Sequence, residues 1–207
     1  RPPRSTLFPY TTLFRSLHTL GDIYVNEGHL EQAADAYRRA LARDAKPDIG
    51  KQLRNVEVLV SRSAYEAGSE LLKQVAARAG AEVGDELRKR MLKLQARLAA
   101  TRSEAKEEQA RILEEIVKLD PLDGEALILL GQYYAGTNME KAIFYYERAE
   151  GIERCAADAR LRHAQVLVKA GKYQEALPFL KRALELKPRE DVQRYAEQVE
   201  RAARRNG

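Results

Sequence analysis

From Leu17 onward, apolar residues recur at helical spacing, and short polar or glycine-containing breaks interrupt them. Leu17, Leu20, Gly21 and Tyr24 fall on one face of a helix that Gly28 ends. Ala33, Tyr37, Ala40 and Leu41 mark a second amphipathic helix, with Pro47 after its end. The grammar returns further along the chain. Leu127, Leu130, Gly131 and Tyr134 precede a Gly136-Thr137-Asn138 turn, then come Ala142, Tyr146 and Ala149. Leu161, Ala164 and Leu167 lead to Gly171, followed by Ala176, Leu180, Ala183, Leu184 and Pro188. Gly131 and Ala164 are 33 residues apart, and Pro121 and Pro188 are 67 apart, about two such units.

The middle of the chain, 48–102, reads less regularly. Ile49, Leu53, Val56, Val60 and Ala64 predict one long helix ending near Gly68. Leu71, Leu72, Val75 and Ala79 predict a shorter one stopped by Gly80. Leu87, Met91, Leu94 and Leu98 alternate by four and three, as in a long helix packed along a neighbour. Thr101 with Glu104 has the spacing of a capping box for a helix from Ser103 to Leu119. These segments are expected to form degenerate or lengthened hairpins. At the other end, Val192, Tyr195 and Val199 share one stripe, so a capping helix is expected over 191–207.

The small residues decide between readings, because only they let two helices approach closely while a large neighbour fills the space beside them. Gly21, Tyr24, Ala33, Tyr37 and Ala40 resemble the tetratricopeptide repeat in this respect. So do Gly131, Tyr134, Ala142, Tyr146 and Ala149, with one residue lost in the turn. Ala164, Leu167, Gly171, Ala176, Leu180, Ala183 and Pro188 form a third copy with aliphatics in place of aromatics. The resemblance implies an all-α fold, a right-handed superhelical solenoid of antiparallel helix hairpins, with repeats at 17–47 and 103–190. It also implies a concave groove lined by the first helix of each pair. That lining would comprise Asp22, Val25 and Asn26, then Glu125, Ile128 and Gln132, then Asp158, Leu161, Gln165, Val168 and Lys169.

One subtype of the family grips chaperone C-terminal carboxylates through lysine, arginine and asparagine. The matching positions here hold His18, Asp22, Ile128 and Gln132, with only Arg162 and Lys169 basic, so that clamp is not expected.

The net charge of +5 suggests nucleic acid until its source is located. Residues 1–16, RPPRSTLFPYTTLFRS, have no periodicity and no acidic residue. They look like the conceptual translation of a sequencing-library adapter, residue for residue. Excluding Arg1, Arg4 and Arg15 leaves 33 basic against 31 acidic residues, a net +2. Nucleic-acid binding is therefore not expected. Native sequence is expected from near Leu17, with any upstream part missing and the compartment undetermined.

Little in the chain points to chemistry. His18, His29 and His163 are far apart and lack metal or catalytic spacing. Cys155, the one cysteine, reads as an inert free thiol between helices. Asp120 to Glu125 lacks the alternating ligands of a calcium loop and reads as a turn. Tyr24, Tyr37, Tyr134 and Tyr146 occupy repeat-defining positions and are expected in the core. No catalytic residue, cofactor, metal site or membrane-spanning run is expected. The expected function is a non-catalytic scaffold that holds a protein or peptide partner. The alternative is a docking or regulatory region of a larger enzyme or envelope protein.

Overall fold

The computed structural model describes residues 10–80, 83–102 and 105–206, with side chains described between Leu17 and Arg205 of those segments. All regular structure among them is helical. The chain divides into two compact units between Ala105 and Lys106.

The first unit contains α1 (Tyr10–Asn26), α2 (Leu30–Arg43), α3 (Ile49–Ser61), α4 (Tyr65–Ala79) and α5 (Asp85–Ala100). α1 pairs with α2 and α3 with α4 as hairpins, and α5 packs against both α3 and α4. One core joins them, with Tyr37, Leu41, Leu53, Val56, Leu59, Leu71, Leu72 and Val75 buried beside Met91, Leu94 and Leu98 of α5. Of the sixteen residues resembling an adapter, 1–9 lie outside the described residues, while Tyr10 to Ser16 open α1.

The single long helix expected from Ile49 to near Gly68 is in fact two. The break falls at Ser63, the one non-glycine residue with positive φ among those described (φ 64°). The Ser63 N–H donates to the Val60 carbonyl at 3.1 Å, and the Ala64 N–H to Leu59 at 2.9 Å. Gly28 and His29 make the same pair of bonds to Val25 and Tyr24, and Gly171 and Lys172 make it to Val168 and Leu167. These bonds satisfy the orphan carbonyls of a helix end through a left-handed residue. Glycine adopts that conformation without strain, and serine conceals it from a sequence reading.

Aligning the three turns shows what the middle hairpin did with its crossing. Val56 stands where Gly21 and Ala164 stand, and Leu72 where Tyr37 and Leu180 stand. The α3 side of this crossing is bulkier than in the other two hairpins, while the α4 side carries a leucine as α10 does. Gly68, expected to end a helix, is buried inside α4 against Val60, at the position of Ala33 and Ala176.

The first unit also buries a polar group between α1 and α3. Gln52 Nε2 lies 3.2 Å from His18 Nε2, and Asn55 Nδ2 lies 3.2 Å from His18 Nδ1. Asn55 Nδ2 also donates to Gln52 Oε1 at 3.3 Å. All three side chains are buried, so their mutual bonding replaces lost water.

The second unit contains α6 (Lys106–Leu119), α7 (Gly124–Tyr134), α8 (Met139–Glu150), a short 3-10 turn (Glu153–Cys155), α9 (Ala156–Lys169), α10 (Tyr173–Leu186) and α11 (Glu190–Asn206). Neighbouring helices pack in sequence from α6 to α11. The capping box expected between Thr101 and Glu104 rests on a residue outside those described. Thr101 follows the end of α5, its hydroxyl donating to the Leu98 carbonyl at 2.7 Å, and the next described helix begins at Lys106. Ser103 and Glu104 lie outside the described residues. Asp123 and Asn138 cap α7 and α8, accepting from the Ala126 and Lys141 N–H groups at 3.1 and 3.0 Å. The turn from Asp120 to Glu125 is thus a helix start. α11 lays Val192, Val199 and Ala203 down as buried residues, with charges elsewhere on the helix.

The tyrosines separate into two classes. Tyr37 and Tyr146 are fully buried at the crossings with Gly21 and Gly131. Tyr24 and Tyr134, expected in the core, are only half-buried. Tyr134 stacks on Tyr145 with ring centroids 5.7 Å apart, and its hydroxyl donates to Glu114 at 2.9 Å. That hydrogen bond, with burial second, pushes the Tyr134 phenol up to about 12.

Candidate peptide groove

α7 and α9 are the first helices of adjacent hairpins in the second unit, and they present the same series of side chains. Glu125, Ile128 and Gln132 follow one another at steps of three and four, and so do Asp158, Leu161 and Gln165. Those steps place each series on one helix face. In both helices an acid, an aliphatic and a glutamine appear in that order. The two series line one groove of about 520 Å³, together with Leu129, Arg162, Cys155, Arg189 and Asp191.

Six of the expected lining residues therefore meet in one place: Glu125, Ile128, Gln132, Asp158, Leu161 and Gln165. Two others on α9 do not join them. Val168 packs at the edge of a core cluster with Ala164 and Leu180, and Lys169 is exposed in the last turn. The remaining three belong to the first unit. Asp22 and Asn26 are exposed there, and Asp22 accepts from the Tyr37 hydroxyl at 2.7 Å. Val25 is buried in that unit's core. Its place four residues after Gly21 explains this: both sit on the face that α1 turns toward α2.

Arg189 comes from the α10–α11 connection and Asp191 from the first turn of α11, so a reading that sought lining only on the first helix of each pair missed them. Arg189 donates to Asp191 at 3.1 and 2.7 Å and approaches Asp158 at 3.6 Å. Its hydrogen bonds hold the Asp191 carboxyl below its ordinary value. Arg162 donates to Gln165 at 3.2 Å. The groove is thus graded: carboxylates at the N-terminal ends of α7 and α9, aliphatics in the middle, amides and Arg162 beyond.

Two further groups border the groove or lie near it. Cys155 is half-buried, with its sulfur against Gly124. His163 is buried, its Nδ1 2.8 Å from Glu150 and its ring 4.0 Å from that of Phe179. Glu150 also faces Arg160 at 3.5 Å, so Glu150 ties α8 to α9, and His163 packs a tilted ring against Phe179 of α10. Among the described residues, no group of three or more His, Cys, Asp or Glu side chains is placed to hold a metal ion. No described helix is long and apolar enough to cross a membrane.

The family profile described as tetratricopeptide repeat matches residues 14–46 and 157–190. No curated protein matches the chain. Among solved structures, the chain is similar to YrrB, a TPR protein with an unusual peptide-binding site. The TM-score is 0.63 at 18% identity, covering 91% of this chain and 97% of YrrB. It is similar to MamA at a TM-score of 0.63 and 19% identity, covering 84% of this chain and 91% of that one. TTC0263, a thermophilic TPR protein of Thermus thermophilus, aligns at a TM-score of 0.53 and 18% identity, covering 90% of this chain and 98% of that one. At these identities the likeness is one of fold.

Proposed function

Since this chain is a tetratricopeptide-repeat protein, we propose that it is a non-catalytic scaffold holding a peptide or helix of a protein partner in the groove between α7 and α9. One observation carries the reading: two adjacent first helices repeat the order acid, aliphatic, glutamine along one cavity. Aliphatics flanked by a few convergent polar groups suit a bound segment, since the apolar part supplies affinity and the polar part fixes register. The peptide-binding site of YrrB supports it by analogy. Asp22 and Asn26, exposed on α1, are a second place where a partner would touch the chain.

The test is affinity capture with the full chain, followed by the same capture with Leu161→Lys, which places a charge in the apolar middle. A partner held by the wild type and lost by the variant supports the groove. A partner set unchanged by Leu161→Lys rules the groove out.

A further inference from the structure

The gradation of the groove assigns its occupant more narrowly. We infer that it takes a segment carrying a basic side chain next to an apolar one, with the basic end at the N-termini of α7 and α9. This rests on the peptide-binding reading above. Glu125, Asp158 and Asp191 line that end, and Ile128 and Leu161 line the middle from the two series. A lysine or arginine of the bound segment meets carboxylates while its apolar neighbour covers the aliphatics.

The positive ends of α7 and α9 also lie at the acidic end and offset part of its charge. The protein itself shows which effect wins. A cation already occupies the place: the Arg189 guanidinium spans Asp191 and Asp158. Arg189, Asp158 and Asp191 are all well exposed, so solvent screens these pairs and they hold the arginine weakly. Arg189 is therefore an internal stand-in that an arriving basic side chain displaces. This fixes the sign of a mutation: removing Arg189 strengthens binding of a basic segment and weakens binding of an acidic one.

Panning a random dodecapeptide phage library against the full chain, then measuring the enriched peptides by fluorescence anisotropy, tests the inference. Enriched sequences should place lysine or arginine within about three positions of a large apolar residue. Asp158→Asn should weaken their binding about fivefold or more, and Arg189→Ala should tighten it about two- to tenfold. Circular dichroism of each variant guards against loss of fold. Acidic enriched peptides, or binding that Arg189→Ala weakens, overturn the inference. If such peptides still lose affinity in Leu161→Lys, the groove itself stands. A library that yields no binder overturns both readings.

Discussion

Gly131 leaves its own missing side chain's space to the ring of Tyr146: a Cβ built there would lie 2.7 Å from Tyr146 Cδ1. Gly21 stands in the same relation to Tyr37, at 2.6 Å from Cδ1. In the α3–α4 hairpin the pair is Val56 with Leu72, and both are buried. The crossing therefore can do without a small residue where the side chain opposite is smaller than tyrosine. Gly131→Val should cost about 1–3 kcal/mol or more by overpacking. Adding Tyr146→Leu should return at least about 1 kcal/mol of that loss, a coupling that urea unfolding of the two single variants and the double variant measures. Additive losses would contradict the exchange.

Removing the ring alone is a different perturbation. Tyr146 is fully buried, and burial pushes its phenol up to about 12. Tyr146→Ala should destabilise the second unit by about 3–5 kcal/mol, the sum of lost transfer energy and the cavity left behind. Chemical denaturation followed by circular dichroism gives the figure, and a cost near zero would mean the ring is not enclosed.

Ser63 holds a left-handed conformation that Gly28 and Gly171 hold freely. The strain for a non-glycine residue is about 1–2 kcal/mol, of which glycine's greater unfolded-state entropy takes back about 0.5–1. Ser63→Gly should therefore stabilise the protein by about 0.5–1 kcal/mol, seen as a higher urea midpoint. Ser63→Val should destabilise it, since a β-branched residue fits that region worse.

The His18 imidazole is held below its ordinary value of 6.5, first by burial and then by the charge of Lys51, against smaller opposing effects of Asp22 and Asp44. The folded state thus prefers the neutral ring, and the unfolded chain binds a proton first as pH falls. The stability this contributes is fully present above pH 6.5 and is lost as pH drops from there toward the lowered folded value. Urea midpoints measured at about pH 7.5 and about pH 5.5 should show a fall that becomes shallower in His18→Leu. The slope is the readout, because His18→Leu also deprives Gln52 and Asn55 of their partner. An unchanged slope would remove His18 from the account.

Where the crossing is built from glycine or alanine with a bulky neighbour, the sequence states it openly: Gly21 with Tyr37, Gly131 with Tyr146, Ala164 with Leu180. The α3–α4 hairpin obeys the same geometry with both cues inverted. Its turn uses serine, and its crossing uses Val56, so periodicity alone runs two helices together. The groove shows a similar division. Glu125, Ile128, Gln132, Asp158, Leu161 and Gln165 are legible because helical spacing projects them together. Val25 is misplaced because a face shared with Gly21 points at the companion helix. Arg189 reaches the groove from a connection and Asp191 from the start of α11, and spacing along a single helix carries no information about a side chain arriving from elsewhere.

Hairpins that share one turn and one crossing are nearly interchangeable parts, which leaves open how a chain orders them. The seam containing His18, Gln52 and Asn55 answers this for α1 and α3. A wrong neighbour at that seam would strand buried donors or acceptors at about 1–3 kcal/mol apiece, while the right one gives each of the three side chains a polar neighbour. That cluster works as a key cut for a single lock, and it identifies which repeat follows which.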